Sequence, residues 1–560
     1  MGLLLSQLQA QGIGMPSPPK RETRAVWLTT YGGLDWPKNK AVDAAGVEAQ
    51  KEELRRILDR VKEANLNTVL LQTRVRGSVI YPSAIEPWDG CLTGTAGRAP
   101  GYDPLAFAVE ECHKRGLELH AWLVAIPCFK VSAARRAGAK SVLNTHRDLC
   151  VRHGDSWYLD PGVPGTAAYL ASICREIAAG YDVDGIHFDY IRYPEHAGRF
   201  NDRASYRKYG GGASKADWRR GNITRCVREM YQSIKSVKPW VKVSSSPIGK
   251  FSDLSRYSSY AWNAYAAVYQ DAQGWLREGI QDLLFPMMYF RDNHFYPFAL
   301  DWKENDCGRP VVPGLGIYML GPKEQDWPLT DVTRELYFVR AIGLGGQAYF
   351  RYAHLDGNLK GLFDFLKEMY YPFPSLPAEV AAADSFPPAS PGRLRGCREA
   401  SRYVLRWDSA ATASRNGGVR YNVYASRAVP ADVASAENLV AAGLDSCSFP
   451  VDGVFCALND VHFAVTAMDR FGRESAPVRF SAGLSGGSES FEGFLPHASD
   501  TLSVPLQDTP YLAVVDLYGR IVATAPYSRR LSIARLPRGV YQLRTLGKEG
   551  RSVGIGYFVK

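Results

Sequence analysis

Side chains able to do chemistry are concentrated in one stretch, YDVDGIHFDYIRYP at residues 181–194, which otherwise has the apolar composition of a buried β-strand. Alternate residues of a strand face opposite sides, so Ile186 and Phe188 share one face while His187 and Asp189 share the other. An unpaired carboxylate inside a core is costly, which places Asp189 where the strand ends and meets a polar surface. A carboxylate in that position is suited to acid–base or nucleophilic work.

The ends of other apolar runs also carry polar and aromatic side chains that can bind a ligand. A lone histidine or aromatic residue is more often part of a core, so the inference rests on their clustering at several strand ends. The structural alternative for the arginines is that they only balance neighbouring carboxylates. The predicted substrate-binding residues are Arg74, His120, Trp122, His187, Arg192, Tyr289, Arg351 and Tyr352.

Apolar runs alternate with helix-like stretches from residue 21 to residue 371. Eight runs in this pattern predict an α/β fold, a (β/α)₈ TIM barrel with its chemistry at the carboxyl ends of the strands. The alternative, an open doubly wound sheet, is disfavoured because no glycine-rich phosphate loop follows a strand. The predicted strands are residues 24–30, 68–75, 117–127, 184–191, 241–249, 282–290, 311–319 and 345–353.

Beyond the barrel the composition changes. Residues 372–395 are rich in Pro, Ala and Ser and predict a linker, and both following segments alternate apolar and polar residues as half-buried strands do. Residues 396–480 resemble a fibronectin type III domain, and residues 488–560 resemble either a C-terminal sorting domain or a plain accessory β-sandwich. Residues 1–20 read equally as the remnant of a secretory signal or as a disordered N-terminus. We therefore expect a barrel followed by two small all-β sandwich domains.

The amino-acid composition limits the classes of ligand and partner that we expect for this chain. The formal net charge is +10, but the basic residues are scattered, so a nucleic-acid partner is disfavoured and an anionic ligand remains consistent. No apolar stretch is long enough for a membrane span. The ten cysteines include no CxxC pair, and no motif indicates a metal site or a cofactor. The oligomeric state and the disulfide status of the cysteines are not determined by the sequence.

Four motifs carry a family resemblance: RAVWLTT, VLLQTRVRGSVIYPSAIEPW, VDGIHFDYIRYP and FPMMYF. Over about residues 21–370 they resemble the glycosyl-hydrolase-like 10 family. The resemblance implies an extracytoplasmic barrel glycoside hydrolase, periplasmic, secreted or on the cell surface. Its implied substrate is an amino-sugar polysaccharide, above all peptidoglycan glycan strands stripped of their peptides. The open alternatives are a hydrolase of host or dietary polysaccharide and a non-catalytic carbohydrate-binding barrel.

Glycoside hydrolysis normally uses two carboxyl groups. We expect Asp189 to be ionised and to act as nucleophile or to stabilise the cationic transition state, with Asp292 as the acid. Glu195 and Asp35 are the alternatives for the second group. Residues 184–191 are also distantly similar to the acidic motif of family 18 chitinases, but Ile191 stands at the position of its catalytic glutamate, which argues against the chitinase mechanism.

Overall fold

The protein is described by a computed structural model that covers most of the chain. The described residues are 18–381, 386–399, 402–411, 418–451, 461–481, 497–498, 501–504, 510–516, 521–537, 540–546 and 554–560. The predicted signal remnant therefore lies, up to residue 17, outside the described residues.

A ring of eight parallel strands forms the first part of the molecule, which confirms the predicted (β/α)₈ barrel. The ring passes from β1 directly to β8 and is closed between β6 and β7, where Leu284 N donates to Pro310 O at 3.1 Å and Gly314 N to Pro286 O at 2.8 Å. The strands are β1 Thr23–Leu28, β2 Thr68–Arg74, β3 Glu118–Val124, β4 Gly185–Asp189, β5 Lys242–Ser245, β6 Leu283–Leu284, β7 Gly314–Leu315 and β8 Gly346–Tyr349.

A helix follows each strand and covers the outside of the ring. Local signals set several starts: Asp103 accepts hydrogen bonds from the first turn of the second helix, and Ser214 caps the fourth by accepting from Asp217 N. The helices are α1 Ala44–Glu63, α2 Pro104–Lys114, α3 Pro164–Gly180, α4 Lys215–Val237, α5 Ala272–Glu278, α6 Tyr296–Glu304, α7 Leu329–Ala341 and α8 Leu362–Phe365.

The strands divide their side chains between two cores, as their alternation predicts. Ile186 and Phe188 of β4 belong to the large core between sheet and helices. Trp27 and Trp122 belong to a smaller core enclosed by the ring. The alternate position Asp189 therefore faces the interior at the carboxyl end of β4, the end at which barrel enzymes place their chemistry.

Loops at the carboxyl ends of the strands form the rim of the barrel. After β3 a small antiparallel sheet is inserted, built from Pro127–Lys130, Ser156–Leu159 and Cys150–His153. We call the opening that these loops surround the mouth of the barrel.

Two further pairs of antiparallel sheets follow, in agreement with the predicted all-β regions. The first pair encloses a core that includes Trp407 and Phe463, and the second encloses Leu512 and Leu543. In the first pair, one sheet consists of Gly392–Glu399, Arg402–Asp408 and Ser448–Val451. The other sheet consists of Leu439–Leu444, Val419–Ser426, His462–Asp469 and Val478–Ser481. Those in the second pair are His497–Ala498, Thr501–Ser503 and Arg530–Ser532 against Ile521–Pro526, Tyr511–Asp516, Val540–Leu546 and Gly554–Val559.

The first all-β region is docked on the amino-terminal end of the barrel. Asp184, just before β4, is buried and accepts hydrogen bonds from Arg470 at 3.0 Å and His113 at 2.9 Å, and pairs with Arg420 at 3.1 Å. Burial raises the pKa of the Asp184 carboxyl, but the two arginines outweigh it and hold the pKa well below its usual range. The start of the predicted linker takes part, because Val380 N donates to Phe471 O at 3.0 Å.

In the described part of the chain no helix combines the length and apolar character that crossing a lipid bilayer requires.

Replacing Arg470 by Ala tests the docking. The variant leaves the buried Asp184 carboxylate with one charge-assisted hydrogen bond fewer, so we expect the full chain to lose about 2 kcal/mol of stability and to unfold at a lower Tm. The matched control is Arg393→Ala, because Arg393 has an 84% exposed side chain 3.8 Å from Asp408. The control should stay within about 0.5 kcal/mol of wild type, and an equal loss in both variants would contradict a docked interface.

Candidate active site

Asp189 is held at the mouth by donors from three neighbouring strands or strand ends. Trp122 Nε1, on β3, donates to Asp189 Oδ2 at 3.1 Å. Ser246 Oγ, just past β5, donates to Oδ1 at 3.0 Å, and the backbone N–H of Tyr190 donates to the same oxygen at 2.7 Å. A carboxylate has about four acceptor positions, so one position on Oδ2 is left to carry a proton or face a ligand.

The protonation of Asp189 is set by opposing effects. Burial raises the pKa of its carboxyl, while the hydrogen bonds from Ser246 and Tyr190 N, the charge of Arg192 and the indole of Trp122 lower it; burial wins. This direction favours a proton donor and differs from the ionised nucleophile or stabiliser expected from the sequence. Sequence reasoning missed the effect because strand alternation says which way Asp189 faces but not how little water reaches it.

The chain leaves β4 through a sharp turn. Tyr190 has a φ of +49°, a left-handed conformation that a tyrosine rarely adopts. Two residues later the Arg192 guanidinium lies between two aromatic rings, 4.7 Å from the Tyr190 centroid and 6.0 Å from that of Trp262. Its Nη2 is 3.7 Å from Glu195, and its buried Nε has no hydrogen-bond partner. Arg192 is thus held rigidly with a donor unused.

Aromatic rings form the wall of the mouth opposite β3 and β4. Tyr289, after β6, stacks on Phe350, after β8, with centroids 5.4 Å apart, and Tyr318 meets both edge-on. Burial raises the pKa of the Tyr289 hydroxyl well above its usual range, and the charge of Asp189 adds to this. Tyr289 therefore stays a neutral donor close to the carboxylate.

The two predicted histidines lie deeper, inside the ring. His187 Nδ1 is 3.0 Å from Ser244 Oγ, and Trp27 Nε1 donates to its Nε2 at 3.4 Å. Burial keeps the pKa of His187 well below its usual range, so the ring is neutral. His120 is almost fully buried, with Nε2 3.3 Å from Glu118. The structure corrects the prediction that these histidines bind substrate, because both belong to the layer below Asp189.

Arg74 is another correction. Its guanidinium is fully buried, where two nitrogens donate to Glu86 at 2.7 Å and a third donates to backbone carbonyls, among them that of Ala125. A guanidinium so enclosed cannot reach a ligand in the mouth. Strand alternation failed at this position because pairing with β3 shifts register between Gln72 and Arg74.

The end of β8 also serves the scaffold. Arg351 donates to Asp35, which accepts from Ala353 N at 2.9 Å and Thr29 N at 2.8 Å. Tyr352 is buried in the core between sheet and helices. The structure therefore corrects the substrate-binding prediction for Arg351 and Tyr352, and it shows Asp35, an alternative second acid, ion-paired with Arg351.

Asp292 is not brought to Asp189. Its side chain is 75% exposed, its oxygen lies 3.8 Å from Arg291, and its charge acts on Tyr296 and Glu335 of the outer helices. Of the sequence candidates, the structure leaves Glu195 as the carboxylate connected to the surroundings of Asp189, because both charges act on the Tyr190 hydroxyl.

The sequence candidates missed several mouth residues. Ser246 lies in SSSPIG, which offers no acid, yet its interior-facing position beside β4 is a usable signal for a partner of Asp189. Trp262 lies in a loop, where no periodicity shows which way it faces. Tyr318 and Phe350 lie inside the predicted strands 311–319 and 345–353 but beyond the observed ends of β7 and β8, so strand alternation does not apply to them.

A cavity of about 310 Å³ lies at the amino-terminal end of the barrel, where its lining cations have carboxylates beside them, as in the 2.8 Å pair of Lys303 and Asp306. Within the described residues, no three of His, Cys, Asp and Glu come together as ligands for a metal ion.

A buried carboxyl within an aromatic mouth is an arrangement that sugar-cleaving barrels use. The sequence profile of the family Glycosyl hydrolase-like 10 matches residues 22–322, more than half of the chain. The chain belongs to this family. The mouth residues between Tyr190 and Tyr318 in the sequence lie within the matched range, and Phe350 lies beyond it.

Individual proteins are also similar to this chain. The chain is 34% identical over 345 residues to glycosyl hydrolase DigH of Escherichia coli strain K12, covering 56% of this chain and 78% of that protein. It is 32% identical over 391 residues to glycosyl hydrolase YngK of Bacillus subtilis strain 168, covering 66% and 76%. Among solved structures, the PgaB (BpsB) glycoside hydrolase domain of Bordetella bronchiseptica matches with a TM-score of 0.43 and 15% identity, over 62% of this chain and 99% of that one.

Asp189→Asn should change how stability depends on pH. Below the unfolded-state pKa of about 3.9 the carboxyl is protonated in both states, so its raised folded-state pKa does not lower the stability of the protein. As pH rises through the folded-state pKa, ionisation of the buried carboxyl lowers the free energy of unfolding. The Tm of the variant minus that of wild type should therefore rise between pH 4 and pH 8. Asp292→Asn removes an exposed charge and should show no such trend, and parallel curves for both variants would mean that burial does not strain Asp189.

Proposed function

We propose that the protein is a glycoside hydrolase that cleaves glycosidic bonds in an amino-sugar polysaccharide, most specifically in peptidoglycan glycan strands that lack their peptides. The observation that carries the proposal is the Asp189 carboxyl, buried with a raised pKa at the carboxyl end of β4 and bounded by aromatic side chains. Membership of the Glycosyl hydrolase-like 10 family supports the same reaction class.

In this proposal Asp189 is the proton donor to the leaving-group oxygen. Its raised pKa favours the protonated form, and the one open position on Oδ2 presents the proton to the substrate. Glu195 is the second carboxyl group and activates water or attacks the sugar. Arg192 lies next to Glu195, with Nη2 3.7 Å from a carboxylate oxygen.

In this proposal Arg192 is the residue that recognises an anionic group of the substrate. Peptide-free peptidoglycan carries a lactyl carboxylate on every second sugar, and a guanidinium recognises a carboxylate through parallel charge-assisted hydrogen bonds. Arg74 and Arg351, the other arginines predicted for this role, are paired with Glu86 and Asp35, whereas Arg192 lies 3.7 Å from Glu195 and has a buried Nε without a hydrogen-bond partner. Trp122 acts through Asp189, and Tyr289 offers a donor and a ring face to the sugar.

The rest of the proposal concerns where the enzyme works. A glycan of the cell wall is reached outside the cytoplasm, so we place the protein in the periplasm, on the surface or in the medium. The all-β regions, with the fibronectin type III and sorting-domain resemblances still predictions, would support or anchor the barrel. The first all-β region contacts the amino-terminal end of the barrel through Arg470, away from the carboxyl ends of the strands.

A substrate panel and carboxylate variants test the reaction. Wild type should release reducing ends from peptide-free glycan faster than from peptide-bearing glycan, chitin oligomers or plant polysaccharides. Asp189→Asn should lower kcat on the order of 10³-fold and Glu195→Gln about 10²-fold, because each removes a proton-transfer or nucleophilic group. Asp292→Asn is the matched control and should keep wild-type kcat.

The alternatives give other outcomes in the same panel. Turnover confined to plant or host glycans would replace the substrate, and binding without turnover would identify a carbohydrate-binding barrel. Full activity of Asp189→Asn on a substrate that wild type cleaves would end the assignment of that residue.

Arg192→Ala tests the charge of the substrate. Loss of charge-assisted hydrogen bonds should cost about 1.5–3 kcal/mol of binding free energy and raise KM for peptide-free glycan at least tenfold. KM for neutral chitin oligomers should rise much less. The matched control is Arg291→Ala, since Arg291 is a rim arginine already paired with Asp331 at 3.2 Å. Equal losses on the two substrates would mean that Arg192 does not read the lactyl carboxylate.

A further inference from the structure

The loop between β5 and α5 carries exposed aromatic residues that the proposed chemistry does not use. Tyr257, Tyr260 and Trp262 lie within six residues of one another and are 39%, 63% and 45% exposed. Large aromatic side chains left in water at a rim mark an interaction surface. We call residues 254–262 the aromatic loop.

The aromatic loop is a defined structure. Leu254 and Ser259 exchange backbone hydrogen bonds, with Leu254 N donating to Ser259 O at 2.9 Å. Asp253 Oδ1 accepts from Ala261 N and from Asn263 Nδ2, each at 3.2 Å. These bonds fix the backbone on either side of Tyr260 and Trp262, so the two rings can be presented to a ligand at little further ordering cost.

The aromatic loop is continuous with the mouth. The Trp262 ring lies 6.0 Å from the Arg192 guanidinium, which in turn lowers the pKa of the Asp189 carboxyl through its charge. The Tyr257 ring is covered by Arg256, with 4.6 Å from guanidinium to centroid, which leaves Tyr260 and Trp262 as the open surfaces.

The opposite rim supplies a matching aromatic. Tyr31 follows β1, is 44% exposed and lies 5.6 Å from the Arg76 guanidinium. In a closed ring of eight strands, β1 and β5 are diametrically opposed, so Tyr31 and the aromatic loop lie on opposite sides of the mouth. A linear ligand that passes Asp189 can therefore extend beyond it toward both.

We propose that Tyr260 and Trp262 form a distal subsite for pyranose rings of the same glycan, several sugars from the scissile bond. The inference rests on the proposed function for the identity of the polymer. Sugars bound there lie beyond Arg192 as seen from Asp189, so the subsite adds affinity for long strands. Short oligosaccharides reach Asp189 without touching the aromatic loop.

Binding to an inactive full-length protein tests the subsite without turnover. In the Asp189→Asn background, Tyr260→Ala and Trp262→Ala should each weaken binding to long peptide-free glycan strands about tenfold, consistent with loss of one aromatic contact. In Tyr260→Ala, binding of a disaccharide or trisaccharide of the same glycan should change less than twofold. The comparison of long with short ligands is made on this variant, because Trp262→Ala also removes a ring beside Arg192. Tyr260→Phe and Trp262→Tyr should restore most of the affinity, which separates ring contact from a folding defect.

A control variant and the results that would contradict the subsite complete the test. Tyr511→Ala removes a 49% exposed tyrosine of the second all-β region and should leave binding to strands unchanged. Equal losses for long and short ligands, or no loss for strands, would overturn the subsite. If wild type cleaves none of the glycans while the loop variants still lose strand binding, the catalytic proposal fails and the subsite stands.

Discussion

The structure of the site depends on how Asp189 is held. Three strands that are distant in sequence meet at this carboxylate: β3 contributes the Trp122 indole, β4 the residue itself and the following N–H, and the end of β5 the Ser246 hydroxyl. A buried carboxyl tolerates its position only with such donors. The same donors leave one face of Oδ2 open, so the arrangement that makes the charge tolerable also directs the proton.

The polar layer below explains why the donors are fixed. His187 is hydrogen-bonded to Ser244 and Trp27. The Trp27 ring packs edge-on against Phe350, which in turn stacks on Tyr289. The interior of the barrel is thus one continuous set of contacts from the histidine layer to the aromatic wall of the mouth. A change at the histidine would shift the mouth although it touches no sugar, which is why we treat His187 as support.

Much of the barrel could be predicted from the sequence, because eight apolar runs alternating with helices have few other solutions. The facing of Asp189 and His187 followed from strand alternation. The roles of Arg74 and Arg351 did not, because each is decided by a carboxylate in a loop elsewhere in the sequence, Glu86 and Asp35. The sequence shows that an arginine stands at a strand end but not whether its charge is already paired.

Asp292 and Glu195 show the same limit for acids. Both side chains are largely exposed, and each lies beside an arginine, Asp292 at 3.8 Å from Arg291 and Glu195 at 3.7 Å from Arg192. They differ because Arg192 is the arginine whose charge acts on Asp189. The difference arises in the turn after β4, where the left-handed Tyr190 redirects the chain so that Arg192 falls between two rings. Since a left-handed tyrosine has no sequence signature, the second carboxyl could not be chosen before the turn was seen. The turn also relates the two proposals, because the residue that it places beside Asp189 is the one that Trp262 covers from the aromatic loop.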